Sequence, residues 1–201
     1  MPQLKICGIT DAAFAVEAAR RGIDYLGLIF AEGSPRRVTV EQARQIVAVV
    51  RGTPLVGCGV PDAPRFVGVF TTQDIREIAS TASAVGLDVI QLHGAYADDD
   101  VIALKAKGYE VWRLFSGNPV CEDAVLLDGR HGDTSGMADW SLVAPLKSAG
   151  WRVVLAGGIT SSNVADAART GADVIDVSSS LETSPGVKST ALLDSLITAL
   201  R

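Results

Sequence analysis

Short apolar runs recur along the chain, each followed by a Gly or polar turn and then by a segment with apolar residues at helical spacing. The runs predict strands at Leu4–Cys7, Tyr25–Phe30, Phe66–Phe70, Val89–Leu92, Glu110–Leu114, Ala124–Asp128, Arg152–Ala156 and Val174–Val177. The intervening periodicity predicts helices over Asp11–Arg20, Val40–Val50, Gln73–Val85, Asp98–Lys107, Trp140–Ala149, Asn163–Thr170 and Val187–Leu200. Thr10, Thr39, Thr72 and Ser161 or Ser162 stand where side-chain oxygens would cap the first N–H groups of these helices. Gly22, Gly86, Gly108, Gly150 and Gly171 stand where the helices should stop.

Strands alternating with helices imply parallel strands joined by right-handed crossovers. The strands read as nearly continuous apolar runs, as expected when both faces of a sheet are covered. Such a pattern closes either as a doubly wound open sheet or as a barrel. The count of eight and the near-regular spacing favour a single (β/α)8 TIM barrel domain over residues 1–201. Only "FSGNPVCED" separates the fifth and sixth strands, so that crossover is expected as a loop or short turn rather than a helix. "RGTPLVGCGVPDAPR" reads as a long surface loop ahead of the third strand.

Composition narrows the chemistry. A chain of 201 residues with 48% hydrophobic and 20% charged residues suits one core. A net charge of −5, with no basic tract, excludes nucleic acid and anionic membrane surfaces as expected partners. No apolar run approaches the roughly 20 residues of a membrane span, and no signal peptide is visible, so a cytoplasmic protein is expected. Cys7, Cys58 and Cys121 are odd in number and scattered, and His93 and His131 are the two histidines. Neither a disulfide framework, nor a metal site, nor a cofactor follows from them. A monomer or homodimer acting on a small molecule is the expectation.

In a barrel, chemistry gathers where strands end. Lys5 and Cys7 lie two apart on the first strand and share a side of it. A cation beside Cys7 would tune its thiol toward thiolate, although a free Cys also packs as a small hydrophobe. Asp128 follows two leucines at the end of the sixth strand, as a proton donor in a partly dry setting or as a plain turn residue. Residues after it, "GRHGDTSGMADW", suggest an active-site loop. "LAGGIT" ends the seventh strand with Gly157 and Gly158, and "DVSSS" ends the eighth with Ser178, Ser179 and Ser180. Free N–H groups at two successive strand ends make an anion cradle and point to a phosphate. Gln91 and His93 share a side of the fourth strand, and Arg36 or Arg37 stands after the second. The set suits cofactor-free proton transfer on a phosphorylated, anionic small molecule.

With "KICGIT", "SPRRV", "VGVF", "IQLHG", "LLD", "LAGGIT" and "DVSS…E…PGVKS" in this order, the chain resembles phosphoribosylanthranilate isomerase of tryptophan biosynthesis almost end to end. The resemblance implies a (β/α)8 barrel and an Amadori rearrangement of N-(5-phosphoribosyl)anthranilate to 1-(2-carboxyphenylamino)-1-deoxyribulose 5-phosphate. It makes Asp128 the general acid, Cys7 the general base and Arg36 the holder of the anthranilate carboxylate. Lys5 and His93 then line the pocket, and Gly157, Gly158, Ser179 and Ser180 hold the phosphate. The chain departs from the family pattern at Asp133, Ser135, Gly136 and Ala138 in the loop after the acid, and at Ser180. A non-catalytic phosphosugar-binding barrel is the competing class.

Overall fold

The computed structural model describes residues 1–54, 63–129 and 137–201. Cys58, His131, Asp133, Ser135, Gly136 and the middle of the Pro/Gly-rich loop lie outside the described residues. Eight parallel strands close a barrel in sequence order: β1 (Gln3–Cys7), β2 (Tyr25–Ile29), β3 (Arg65–Phe70), β4 (Val89–Leu92), β5 (Glu110–Leu114), β6 (Ala124–Leu127), β7 (Val153–Leu155) and β8 (Val174–Val177). β1 pairs with β2 through Lys5 and Tyr25 and with β8 through Lys5 and Asp176, which closes the ring. Around it pack α1 (Ala12–Arg20), α2 (Val40–Gly52), α3 (Ile75–Val85), α4 (Asp98–Lys105), α5 (Val143–Ser148), α6 (Val164–Arg169) and α7 (Thr190–Leu200). No helix among the described residues is long and apolar enough to cross a membrane.

Strand alternation divides the apolar residues into two cores. Leu4, Ile6, Leu26, Phe66 and Ile90 face outward and pack against the helices, while Tyr25, Val67, Val89, Trp112, Leu126 and Val154 fill the barrel. Burying each such side chain contributes about 1.5–3 kcal/mol. The strand starts are sealed by polar groups: Glu110 accepts from Arg65, Arg152 and the Trp112 indole N–H, and Arg152 also donates to Tyr25 and Gln3.

No helix covers the barrel between β5 and β6, as the short connection predicts. Arg113 takes that place. Its guanidinium is buried, with Nη1 2.7 Å from Asp98 and Nη2 3.0 Å from Glu122. Glu122 in turn accepts the backbone N–H groups of Val120 and Cys121.

Three expectations about helix ends change. Asp11, not Thr10, caps α1 by accepting from Phe14 N, and the Thr10 hydroxyl donates to Gly186 O. Asp74, not Thr72, caps α3, because its carboxylate accepts from Arg76 N and Glu77 N together. Asn163, not Ser161 or Ser162, stands at the start of α6, with no side-chain cap bond. Thr39 caps α2 as expected, and all five stop glycines take positive φ.

Two helices are shorter than their apolar spacing suggests. The Trp140–Ala149 segment opens as a 3-10 turn, Trp140–Leu142, before α5, in which Pro145 occupies the first turn where a missing N–H is tolerated. The Val187–Leu200 segment gives up its first residues to a hairpin of β9 (Glu182–Ser184) and β10 (Val187–Lys188), and α7 follows the Ser189 cap. A 3-10 turn, Ser179–Leu181, joins β8 to this hairpin.

Candidate active site

A cavity of about 730 Å³ opens over the strand C-termini. Cys7, Arg36, His93, Asp128, Gly157, Gly158 and Ser179 line it, so seven of the nine sequence-predicted site residues come together. Lys5 and Ser180 do not reach its wall. Lys5 is fully buried beneath it, and the Ser180 hydroxyl is committed to Ile159 O at 2.6 Å. Arg37 is exposed, and it is Arg36 that borders the cavity.

Cys7 ends β1 with its side chain inside the barrel. The opposed residue of β2 is Gly27, where a Cβ would lie 2.9 Å from Cys7 Sγ. Glycine at that position is what gives the thiol its room. Below Cys7, Lys5 Nζ sits 2.6 Å from Asp176 Oδ2. Burial works against the Lys5 charge, but Asp176 and Cys7 outweigh it and hold the ammonium above its ordinary range. Burial pushes the Cys7 thiol up, with Lys5 pulling the other way, and burial wins. The expected tuning toward thiolate is therefore reversed in the free cavity: the cation is present, yet removing a thiolate from water costs more than Lys5 returns. Burial also raises Asp176, against the pull of Lys5.

Across the mouth, Asp128 follows β6 and His93 follows β4. His93 Nε2 lies 2.8 Å from Asp128 Oδ2, and Asp128 Oδ1 accepts Gly129 N at 2.7 Å. Gly157 and Gly158 both take positive φ after β7, and Gly158 O accepts from Asn163 Nδ2, which pins this turn to the start of α6. Ser178 donates its hydroxyl to Cys7 O, tying the end of β8 to the end of β1. The Ser179–Leu181 segment, expected to supply N–H groups to an anion, is a 3-10 turn.

Sequence reading missed Asp176, Glu182 and Lys188. Asp176 is the one charged residue in "VIDV", at an inward position, and the unpaired ammonium of Lys5 was the signal for it. Glu182 takes Arg36 at 2.7 Å and Lys188 at 2.7 Å. Burial would raise its carboxyl, but hydrogen bonds from Arg36 and Lys188 hold it down at about 2. Two buried acceptors, Gln91 Oε1 and Asp176 Oδ1, have no hydrogen-bond partner among the described residues, and both residues border the cavity. Among the described residues no group of three or more His, Cys, Asp or Glu could hold a metal.

One family, described as N-(5'phosphoribosyl)anthranilate (PRA) isomerase, matches residues 4–199. The chain belongs to this family. It is 36% identical to the N-(5'-phosphoribosyl)anthranilate isomerase of Rubrobacter xylanophilus, with both chains covered in full. It is 34% identical to the tryptophan biosynthesis protein TrpCF of Salmonella typhi over 98% of its own length, spanning 43% of that longer protein. Among solved structures it resembles, at 28% identity and a TM-score of 0.80, a phosphoribosyl anthranilate isomerase in complex with reduced 1-(o-carboxyphenylamino)-1-deoxyribulose 5-phosphate, covering 100% of this chain and 98% of that one.

Proposed function

We propose that the cavity rearranges N-(5-phosphoribosyl)anthranilate to 1-(2-carboxyphenylamino)-1-deoxyribulose 5-phosphate, the isomerisation that gives the family its name and its place in tryptophan biosynthesis, with Cys7 as base and Asp128 as acid. The observation that carries the reading is that Cys7 and Asp128 border one cavity, with Gly157, Gly158 and Ser179 also lining it.

Asp128 donates a proton to the furanose ring oxygen; the C1′–O bond breaks and the anilino nitrogen completes a cationic Schiff base. Cys7 removes the C2′ proton, and those electrons neutralise the Schiff base as an enolamine. Tautomerisation gives the C2′ ketone and a C1′ methylene, so one proton enters, one leaves and no oxidant is needed. Cys7 must shed its own proton first. Lys5 beneath it and the cationic Schiff base above it both favour the thiolate, so a larger fraction of Cys7 is in the proton-accepting form when substrate is bound. Gln91 Oε1 and Asp176 Oδ1 supply acceptors for sugar hydroxyls. The phosphate, bound far from the reacting carbons, fixes the sugar between the acid and the base.

Fluorescence-monitored turnover tests the reading. Cys7→Ser and Asp128→Asn should each lower kcat by roughly 10²–10⁴ while the reduced product analogue still binds. Near-normal kcat in both variants sinks the assignment. A wild-type protein that binds the analogue but turns nothing over would instead be the non-catalytic barrel.

A further inference from the structure

The Arg36 guanidinium has two edges on which a carboxylate can be bound at two points. One is already taken: Nε donates to Glu182 Oε1 at 2.8 Å and Nη2 to Glu182 Oε2 at 2.7 Å. The other edge, formed by Nη1 and the second Nη2 hydrogen, has no hydrogen-bond partner among the described residues, and Arg36 borders the cavity. Glu182 is itself fixed from behind. Lys188, its cross-strand partner in the hairpin, donates to Glu182 Oε1 at 2.7 Å and to Ser178 O at 3.1 Å, and both side chains are almost fully buried. The Arg36 stem is held as well, since it packs against the Gly8 backbone so closely that a Cβ there would lie 2.7 Å from Cδ.

We infer that the β9–β10 hairpin is the carboxylate-specificity element of the site: Glu182, braced by Lys188, holds Arg36 by one edge so that the free edge receives the aromatic carboxylate of the substrate. This rests on the reading of Arg36 as the carboxylate holder. Two cations and one carboxylate leave the cluster with a net charge of +1, which matches one incoming carboxylate. A long Arg side chain already ordered loses less rotamer freedom on binding than a free one. Glu182 touches no reacting atom in this scheme and is a positioning residue.

The test compares two ligands that differ in one group, the reduced carboxyphenylamino product analogue and its phenylamino counterpart without the carboxylate, titrated calorimetrically against the full chain. In the wild type the carboxylated ligand should bind more tightly. Glu182→Gln should weaken the carboxylated ligand roughly tenfold, leave the other unchanged and raise KM far more than it lowers kcat. Glu182→Asp, which keeps the charge, should recover part of the discrimination. If Glu182→Gln tightens the carboxylated ligand, Glu182 is a competitor for Arg36 and the inference falls. It falls equally if both ligands weaken alike, or if neither changes while Arg36→Ala abolishes the discrimination. A wild type and Arg36→Ala that both bind the two ligands equally would overturn the reading of Arg36 itself.

Discussion

His93 Nε2 and Asp128 Oδ2 stand 2.8 Å apart across the mouth, joining the ends of β4 and β6 by one hydrogen bond. The bond contains a single proton, carried by the imidazole or by the carboxyl. Asp128 Oδ1 is occupied by Gly129 N, so Oδ2 is the oxygen on which an acidic proton would ride.

His93→Asn should therefore lower kcat about tenfold to a hundredfold, with binding of the reduced product analogue preserved. Steady-state turnover and titration with the analogue check this. A kcat within about twofold of wild type would mean that His93 only fills space.

The contact between Gly27 and Cys7 makes a sharper prediction. Gly27→Ala puts a methyl group 2.9 Å from Sγ, and the thiol must move. The expected result is a loss of kcat of at least tenfold, with a stability change of only about 1–3 kcal/mol from overpacking. Turnover and urea unfolding of the same preparation separate the two.

Lys5→Met removes the charge that balances Asp176. Breaking a buried pair from one side costs roughly 3–5 kcal/mol, and pairing the change with Asp176→Leu should recover most of that stability without recovering turnover. Urea midpoints at pH 7 for the two single variants and the double variant decide it.

The raised thiol and ammonium also set a direction with pH. The folded thiol keeps its proton above 9.0, its ordinary value, while the unfolded one releases it, so Cys7 costs stability as pH climbs past that point. The Lys5 charge stabilises fully below 10.5 and is lost as pH rises through its higher folded value. Unfolding free energy should fall from pH 8 to 11, and Cys7→Ser should remove the earlier part of the fall.

Arg113 and Glu122 stand where a crossover helix would otherwise cover β5 and β6. Arg113→Ala strands a buried carboxylate and should cost roughly 3–5 kcal/mol, while kcat measured at low temperature stays within about twofold of wild type. A loss of kcat without loss of stability would show that this wall communicates with the cavity.

The barrel was legible because alternation and spacing are local properties. Each strand sits within one or two residues of its apolar run, and the two-residue separation of Lys5 and Cys7 was enough to put them on one side of β1. The pairs that give the site its electrostatics were not legible. Lys5 and Asp176 are separated by 171 positions and Arg36 and Glu182 by 146, and no local pattern links them. Thr10 lost to Asp11 and Thr72 to Asp74 because adjacent capping residues compete and only the chain path selects between them. The last helix, expected from Val187, begins only at Thr190, because Val187 and Lys188 are paired across the hairpin with Ser184 and Glu182, partners that lie outside the periodic segment.

The first and last strands meet at β1 and β8, and this seam carries Lys5, Cys7 and Asp176 together. The cation beside the thiol stands 171 positions before the carboxylate that balances it. An ammonium buried in the barrel without that carboxylate would be strongly unfavourable, so the strand that closes the ring also supplies the counter-charge that lets Lys5 stay inside it.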